Sequence, residues 1–523
     1  MTIARSTSRA AATRAGSPCL GLLAGLAAIK LVAHLLTATN YGLFVDELYF
    51  LACGEHLAWG YVDMPPLTAF QAWLARSLFG DSIFGIHLFP ALAGAGLVLL
   101  TGAIVHELGG KRFAVAAAGL SVIVAPVYLL TDSYLSMNSI EPLVWMGCAY
   151  VLIRMTRSAN PRWWLAFGAL GGIGLLNKDT MLVFGFALVA GLLLTPARKM
   201  MWNRWFLAGG ALALGIALPN LVWMVQHDFP HLEQLANIRR NQRNVSLDPL
   251  GFLLQQVLLQ HPLTPLIWLG GLVYFFVHPQ GKQFRFLGWA YLLSLAILLA
   301  ANGRVYYLSP SYPMLLAGGA VWGEAWLAPR RRTWVKAASL AVLGLGGALL
   351  APFALPVLPP ETYLRYSRAV GFDQVRIENH ALGVLPQLFA DRFGWPEMAE
   401  ATAGVYHSLS AEEQSRTVIF SGGYPQAGAI DFFGPALGLP KALSGHLTYY
   451  YWGEQAARDI GPGATAIILA MDADDLRPYF ESVEVAGYAR HPYSMPYENF
   501  PIYLCRGLKV PLIELWPALK NWN

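Results

Sequence analysis

Tyr41 to Phe70 reads YGLFVDELYFLACGEHLAWGYVDMPPLTAF. The stretch follows an apolar run, Cys19 to Ala38, that is long enough to cross a bilayer as a helix. It opens with adjacent carboxylates, Asp46 and Glu47, which therefore sit at a membrane boundary. Carboxylates beside hydrocarbon are costly unless they face water, a cation or a substrate, so the pair is a candidate site. Tyr49, Phe50, His56, Trp59 and Tyr61 follow, and then Asp63-Met64-Pro65-Pro66, where the prolines end any helix and hold the chain extended. The plainer alternative is an outer loop with acidic residues and aromatic interface anchors but no chemistry.

Working outward, 56% of the 523 residues are hydrophobic, only 13% are charged, and the mean hydropathy is +0.45. This is the composition of a membrane protein. Apolar segments are expected at about 19–38, 84–106, 113–130, 139–153, 163–177, 180–195, 205–226, 252–277, 286–301, 308–327 and 334–355, giving about eleven transmembrane helices. The first follows Arg5, Arg9 and Arg14 but is longer than a signal core, so it reads as an uncleaved helix.

With the N-terminus cytoplasmic, the inner connections carry Lys111 and Arg112; Arg154, Arg157 and Arg162; Arg198, Lys199 and Arg204; Lys282 and Arg285; and Arg330 to Arg332. That distribution obeys the positive-inside rule and accounts for the net charge of +5 without nucleic-acid affinity. It places the first loop, residues 39–83, and the C-terminal part on the same outer side. The expected organisation is a membrane domain over 1–355 and a soluble outer domain over 356–523.

Other outer segments are unusually polar. Asn177-Lys178-Asp179-Thr180 forms a tight hairpin that puts Lys178 at membrane depth. ANIRRNQRN carries Arg239, Arg240 and Arg243 on the side the charge rule disfavours, and a guanidinium fork suits a phosphate. Anchoring to lipid headgroups is the simpler use of those three arginines. Asn302 to Pro313 adds Arg304, Tyr306 and Tyr307. Glu141 precedes Pro142, a pair suited to the first turn of a helix, with the carboxylate against the positive end of the dipole.

Beyond about Leu355, strand-like runs at Thr417–Phe420, Ala464–Ala470 and Pro501–Cys505 alternate with helix-like stretches such as Ala381–Phe393 and Gln426–Phe433, which suggests an α/β sandwich. The glycines there make no nucleotide-binding signature and read as turns. Of the four cysteines, Cys53 and Cys505 fall in polar surroundings, and the spacing implies neither a metal nor a disulfide framework.

The ordered set VDELYF, GYVDMPPL, SIEPLVW, GLLNKDTM, NGRVYYLSPSYP and AGAIDFFGPALGLPKALSGHLTYYYWG resembles the bacterial glycosyltransferase family 39 and ArnT-like proteins, related to the protein O-mannosyltransferases. The resemblance covers nearly the whole chain. It implies a GT-C fold, a polyprenyl-phosphate sugar donor, and transfer with inversion on the outer face of the bacterial inner membrane. It further implies that Asp46 is the catalytic carboxylate, with Glu141 at a second acidic position where relatives commonly carry aspartate. Lys178 matches the family's hairpin lysine, and Tyr306 and Tyr307 its tyrosine region. In the lipid A aminoarabinose branch a glutamate and a lysine precede the first proline, where this chain has Asp63 and Met64, and a histidine stands where it has Asn237. Those positions belong to a metal site in that branch, so no metal ligand is assigned here and a divalent metal is left open.

The chemistry agrees with the residues. Transfer to a hydroxyl needs a base, a role for Asp46, and cations for the leaving phosphate, roles for Lys178, Arg304, Arg239, Arg240 and Arg243. Glu47, Tyr61, Asp63, Tyr306 and Tyr307 are candidate substrate contacts. A leaving phosphate departs without protonation, so one essential carboxylate suffices, unlike glycoside hydrolysis. A transporter or lipid flippase is the main alternative, although charges gathered at one face favour surface chemistry over alternating access. A membrane-anchored binding protein would not need eleven spans. Lipid A, another glycan or lipid, and a secreted protein are all hydroxyl acceptors, and neither acceptor nor sugar is fixed by sequence.

Overall fold

The computed structural model describes residues 19–241, 245, 247–328, 333–371 and 381–523. Arg5, Arg9, Arg14, Arg243 and Arg330 to Arg332 lie outside the described residues. Helices occupy all eleven apolar segments: α1 (Leu20–Thr37), α4 (Ile83–Glu107), α5 (Arg112–Val124) with α6 (Pro126–Thr131), α7 (Met137–Ser158), α8 (Trp163–Asn177), α9 (Thr180–Leu193), α10 (Arg204–Gln226), α12 (Pro249–Leu259) with α13 (Pro265–Phe276), α14 (Arg285–Ala300), α15 (Tyr312–Leu327) and α16 (Thr333–Leu350). Among the described residues five helical segments, those at α1, α4, α10, α14 and α16, are individually long and apolar enough to cross a membrane. α10 turns Leu207, Leu214, Leu218 and Leu221 outward, which suits a hydrocarbon solvent and would be a liability in water.

Without a hydrophobic drive between helices in lipid, close approach depends on small residues. A Cβ on Gly168 of α8 would fall 2.0 Å from the Gly209 carbonyl oxygen of α10. One on Gly319 of α15 would fall 1.7 Å from the Ile267 carbonyl oxygen of α13.

Three expectations for the membrane part need correction. The segment expected at 113–130 is broken, because Pro126 has no N–H to continue α5 and instead starts α6. The segment at 252–277 is also two helices, interrupted at Gln260 to Thr264, where His261 has φ of 80° and Pro265 begins α13. Glu141-Pro142 is not a first turn: α7 starts at Met137, capped by the Ser136 hydroxyl, which accepts from the Asn138 N–H at 3.3 Å.

The outer loop folds into α2 (Val45–Glu55) and α3 (Leu67–Phe79). An amphipathic helix, α11 (Pro230–Arg240), follows α10. The C-terminal part holds a five-stranded sheet in the order β2-β1-β3-β5-β4, built from β1 (Thr417–Ser421), β2 (Ala442–Ser444), β3 (Thr465–Leu469), β4 (Phe480–Ala489) and β5 (Phe500–Leu508). β2, β1 and β3 are parallel, and β5 and β4 run antiparallel at the other edge. Alternation divides the side chains between two cores. Ile419, Ile467 and Leu504 face the helices Trp395–His407 and Tyr424–Phe433, whereas Phe420, Ile468 and Tyr503 face Ala457, Leu512 and Trp516.

The α/β sandwich therefore forms, with β2 and β4 additional to the expected strands. Ala381–Phe393 is not one helix; only Gln387–Ala390 is helical. Cys53 and Cys505 are buried rather than in polar surroundings, Cys53 in the core shared with α2 and Cys505 on the sheet's other face. That first core is continuous from Leu48, Ala69 and Ala72 of the outer loop to Ala427 and Ile430 beside the sheet.

Candidate active site at the first outer loop

The two adjacent carboxylates have opposite fates. Both lie in the first turn of α2, where the helix dipole favours negative charge. Glu47 points inward and is wholly buried. Its oxygens accept from the Phe44 N–H at 2.7 Å, the Leu135 N–H at 2.6 Å and the His87 ring at 3.0–3.1 Å. Burial alone would push the Glu47 carboxyl up, but His87, the Arg392 charge and the Leu135 N–H outweigh it and hold the pKa below the ordinary value. Glu47 is thus an organiser of the loop, which corrects its assignment as a substrate contact. Tyr61 is corrected likewise: it is fully buried, its hydroxyl engaged with the Cys53 and His56 carbonyls at 3.0 and 3.1 Å and accepting from the Ala58 N–H.

Asp46, one residue earlier, is only partly buried and accepts from the Tyr424 hydroxyl at 2.7 Å. Asp63 is close enough for the two charges to interact, and it accepts from the Tyr49 hydroxyl at 2.7 Å. Burial pushes the Asp63 carboxyl up to about 6, with Asp46 reinforcing the rise and the Tyr49 hydroxyl and His231 opposing it. His231, at the start of α11, lies 3.2 Å from Asp179, the neighbour of Lys178. Tyr134 packs against Phe44 of the first loop, with ring centres 4.6 Å apart, and the Arg392 guanidinium lies 5.6 Å from its ring centre.

Lys178 occupies the expected tight turn between α8 and α9 in extended conformation. Its Nζ donates to Asn138 Oδ1 at 2.8 Å and Glu141 Oε2 at 2.9 Å, and it lies 4.3 and 5.2 Å from the ring centres of Tyr307 and Tyr306. The other Glu141 oxygen accepts from the Thr180 hydroxyl. Glu141 is thus engaged through both oxygens, with Lys178 and with Thr180. Arg304 is partly buried next to this cluster and acts on Tyr307. Arg239 and Arg240 are exposed at the end of α11, apart from these contacts.

Several supporting residues were not singled out in the sequence. Thr448 accepts or donates at 2.6 Å to Tyr49 and accepts from the Val62 N–H at 3.1 Å. Arg392, almost fully buried, donates to the Ser133 hydroxyl at 2.8 Å and covers the Tyr134 ring. Tyr424 stood outside the quoted motifs, and only the proline after it marked the start of its helix. Two of the positions altered relative to the aminoarabinose branch, Met64 and Asn237, are engaged elsewhere. The Met64 thioether is fully buried, and the Asn237 amide nitrogen donates to the Trp522 carbonyl at 2.9 Å. Among the described residues no group of three or more His, Cys, Asp or Glu side chains is placed to hold an ion.

A helical bundle with an acidic and cationic site where its outer loops meet a C-terminal α/β unit has the GT-C membrane fold. The crystal structure of ArnT from Cupriavidus metallidurans bound to undecaprenyl phosphate superposes with a TM-score of 0.57 at 15% identity, covering 93% of this chain and 98% of that one. The same protein in the apo state gives 0.58 at 17% identity, covering 92% and 98%. Residues 63–223 match the family described as Dolichyl-phosphate-mannose-protein mannosyltransferase. Lipid A galacturonosyltransferase RgtD of Rhizobium johnstonii is 30% identical over 220 residues, which are 40% of this chain and 45% of that protein. The chain thus spans less than half the length of this curated relative. The resemblance to the ArnT-like and O-mannosyltransferase-related proteins holds in both sequence and fold.

Proposed function

We propose that this protein is an integral membrane glycosyltransferase that moves a monosaccharide from a polyprenyl-phosphate donor to a hydroxyl acceptor, with inversion. What supports the reading is a partly buried carboxylate, Asp46, that accepts from the Tyr424 hydroxyl at 2.7 Å, and a lysine, Lys178, held in the 177–180 turn by Asn138 and Glu141 at 2.8 and 2.9 Å, in a chain with the GT-C membrane fold. Asp46 removes the acceptor proton as the hydroxyl attacks the anomeric carbon. Lys178, oriented by Glu141 and Asn138, meets the leaving phosphate, with Arg304 adding charge. Asp63 contacts the acceptor beside Asp46, and Tyr306 and Tyr307 wall the donor side. Arg239, Arg240 and Arg243 hold the donor's phosphate or neighbouring headgroups on arrival.

The placement is the bacterial inner membrane, with the N-terminus cytoplasmic and the domain after residue 355 periplasmic. The basic residues of the even-numbered connections support it. The acceptor is a lipid, glycan or protein hydroxyl. The test is transfer from radiolabelled polyprenyl-phosphate sugars to bacterial membrane extract by purified protein, with Asp46→Asn in parallel. Label moved by the wild type and lost in a folded variant supports the reading. Absence of transfer from every donor would remove it.

A further inference from the structure

The helix Tyr424–Phe433 leaves the sheet at the carboxyl end of β1 and packs on α2. The turn between them is fixed by Ser421, whose hydroxyl donates to the Gly423 carbonyl at 2.8 Å and accepts from the Gly423 N–H at 3.2 Å. Pro425 then presets the helical backbone, so Tyr424 stands at the first position of the helix. Further along, the two helices meet with almost no space between their backbones. A Cβ on Gly428 would fall 2.8 Å from the Leu48 carbonyl. Gly428 lies four residues beyond Tyr424, on the same face, and Leu48 two residues beyond Asp46. The contact at Gly428 therefore sets how far the Tyr424 hydroxyl stands from Asp46 Oδ1, which accepts from it at 2.7 Å.

The tyrosine is held firmly. It is 8% exposed, with the ring centres of Tyr49 and His446 at 5.1 and 4.9 Å, and its backbone N–H donates to His446 Nδ1 at 3.3 Å. Tyr49 is itself fixed by Asp63 and Thr448. Asp46 is only partly buried, and the terminal torsion of an aspartate is a broad well rather than three narrow ones. A donor on one oxygen, carried by a fixed ring, sets the plane of that carboxylate.

We infer that Tyr424 is a positioning residue for the transfer: from the C-terminal unit it fixes the plane in which Asp46 meets the acceptor hydroxyl, and it acts through Asp46 alone. The inference rests on the proposed role of Asp46, and its test separates the failure of one from the failure of the other.

Full-length protein in detergent is assayed for transfer from a radiolabelled polyprenyl-phosphate sugar to bacterial membrane extract, and kcat and the KM for the donor are measured. Tyr424→Phe keeps the ring and its packing and removes only the hydroxyl. Its kcat is expected to fall about tenfold with the donor KM within about twofold of wild type, since a misaimed base slows the step without loosening the donor. Its melting temperature falls by no more than about 3 °C. Placed in an Asp46→Asn protein, the same substitution changes the residual rate by less than about twofold, because there is no base left to aim. Gly428→Ala seats a methyl against the Leu48 backbone and displaces the hydroxyl without deleting it. It lowers kcat less than Tyr424→Phe, and again only where Asp46 is present.

Wild-type kcat in Tyr424→Phe beside an inactive Asp46→Asn overturns the positioning role and leaves the base standing. An equal loss with and without Asp46, or a raised donor KM at unchanged kcat, makes Tyr424 a folding or donor-binding residue and overturns the inference too. Wild-type transfer by Asp46→Asn removes the base and the inference with it.

Discussion

Substituting Asp46 and Glu47 one at a time separates chemistry from architecture within a single helical turn. Glu47→Gln replaces one carboxylate oxygen by an N–H₂ that faces donors, among Phe44 N–H, Leu135 N–H and His87, so one or two charge-assisted bonds are lost. At about 1.5–3 kcal/mol for each bond to a charged group, the cost is about 1.5–6 kcal/mol. With an unfolding entropy of about 2.1 cal/mol/K per residue, a chain of 523 residues loses roughly 1 °C per kcal/mol, so the apparent melting temperature in detergent should fall by roughly 2–6 °C. Asp46→Asn keeps an oxygen that still accepts from Tyr424, so its stability should stay within about 1 kcal/mol of wild type. Its transfer rate should drop about 10²–10⁴-fold with loss of the base. The assay is thermal unfolding followed by intrinsic fluorescence, with transfer measured on the same preparations. An Asp46→Asn protein of wild-type activity, or a Glu47→Gln protein of wild-type melting temperature, would refute the division of roles.

Lys178→Met should lower transfer about 10²-fold or more by removing the cation for the leaving phosphate, whereas Glu141→Gln, which misplaces that cation without deleting it, should lower it less; single-turnover rates decide. Asp63 binds its proton more tightly in the folded chain, with its pKa raised from 3.8 to about 6, so it favours folding below about pH 4 and loses that contribution as pH rises through 6. Asp63→Asn should therefore stabilise at pH 7–8 by at most about 2 kcal/mol, with a smaller effect at pH 5, as melting curves at the two pH values would show. Lys30 and Asp132 form a fully buried pair at 2.9 Å, so Lys30→Met should cost about 3–5 kcal/mol by stranding the carboxylate. The double variant Lys30→Met/Asp132→Asn should recover most of that loss in the same melting assay.

The helices were legible because lipid imposes length and apolarity on each segment, and the 177–180 hairpin because nothing apolar separates α8 from α9. The breaks at Pro126 and at residues 260–264 were not, since an apolar run reads the same whether one helix or two carries it. Asp46 and Lys178 stood out as charges where charge is costly. That rule cannot distinguish a carboxylate facing the site from one enclosed by donors, so Glu47 and Tyr61 were grouped with the substrate contacts. Glu47 finds its partners 40 and 88 residues away, at His87 and Leu135, a matter of tertiary packing.

The site's support comes from farther still. Tyr424 reaches Asp46 across 378 positions, Thr448 holds Tyr49 and Val62, Arg392 holds Ser133, and Lys441 pairs with Glu55 at 2.6 Å. The segment that matches the mannosyltransferase family, residues 63–223, contains neither Asp46 nor any of these four partners. The outer loop and the C-terminal sheet share one core, so the loop is ordered before a substrate arrives and ordering it adds little to the cost of binding. A soluble unit that only recognised an acceptor could sit anywhere near the mouth of the bundle. One that hydrogen-bonds the candidate base and pins the segment carrying Tyr134 is part of the catalytic geometry, and changes within it should alter turnover as well as acceptor affinity.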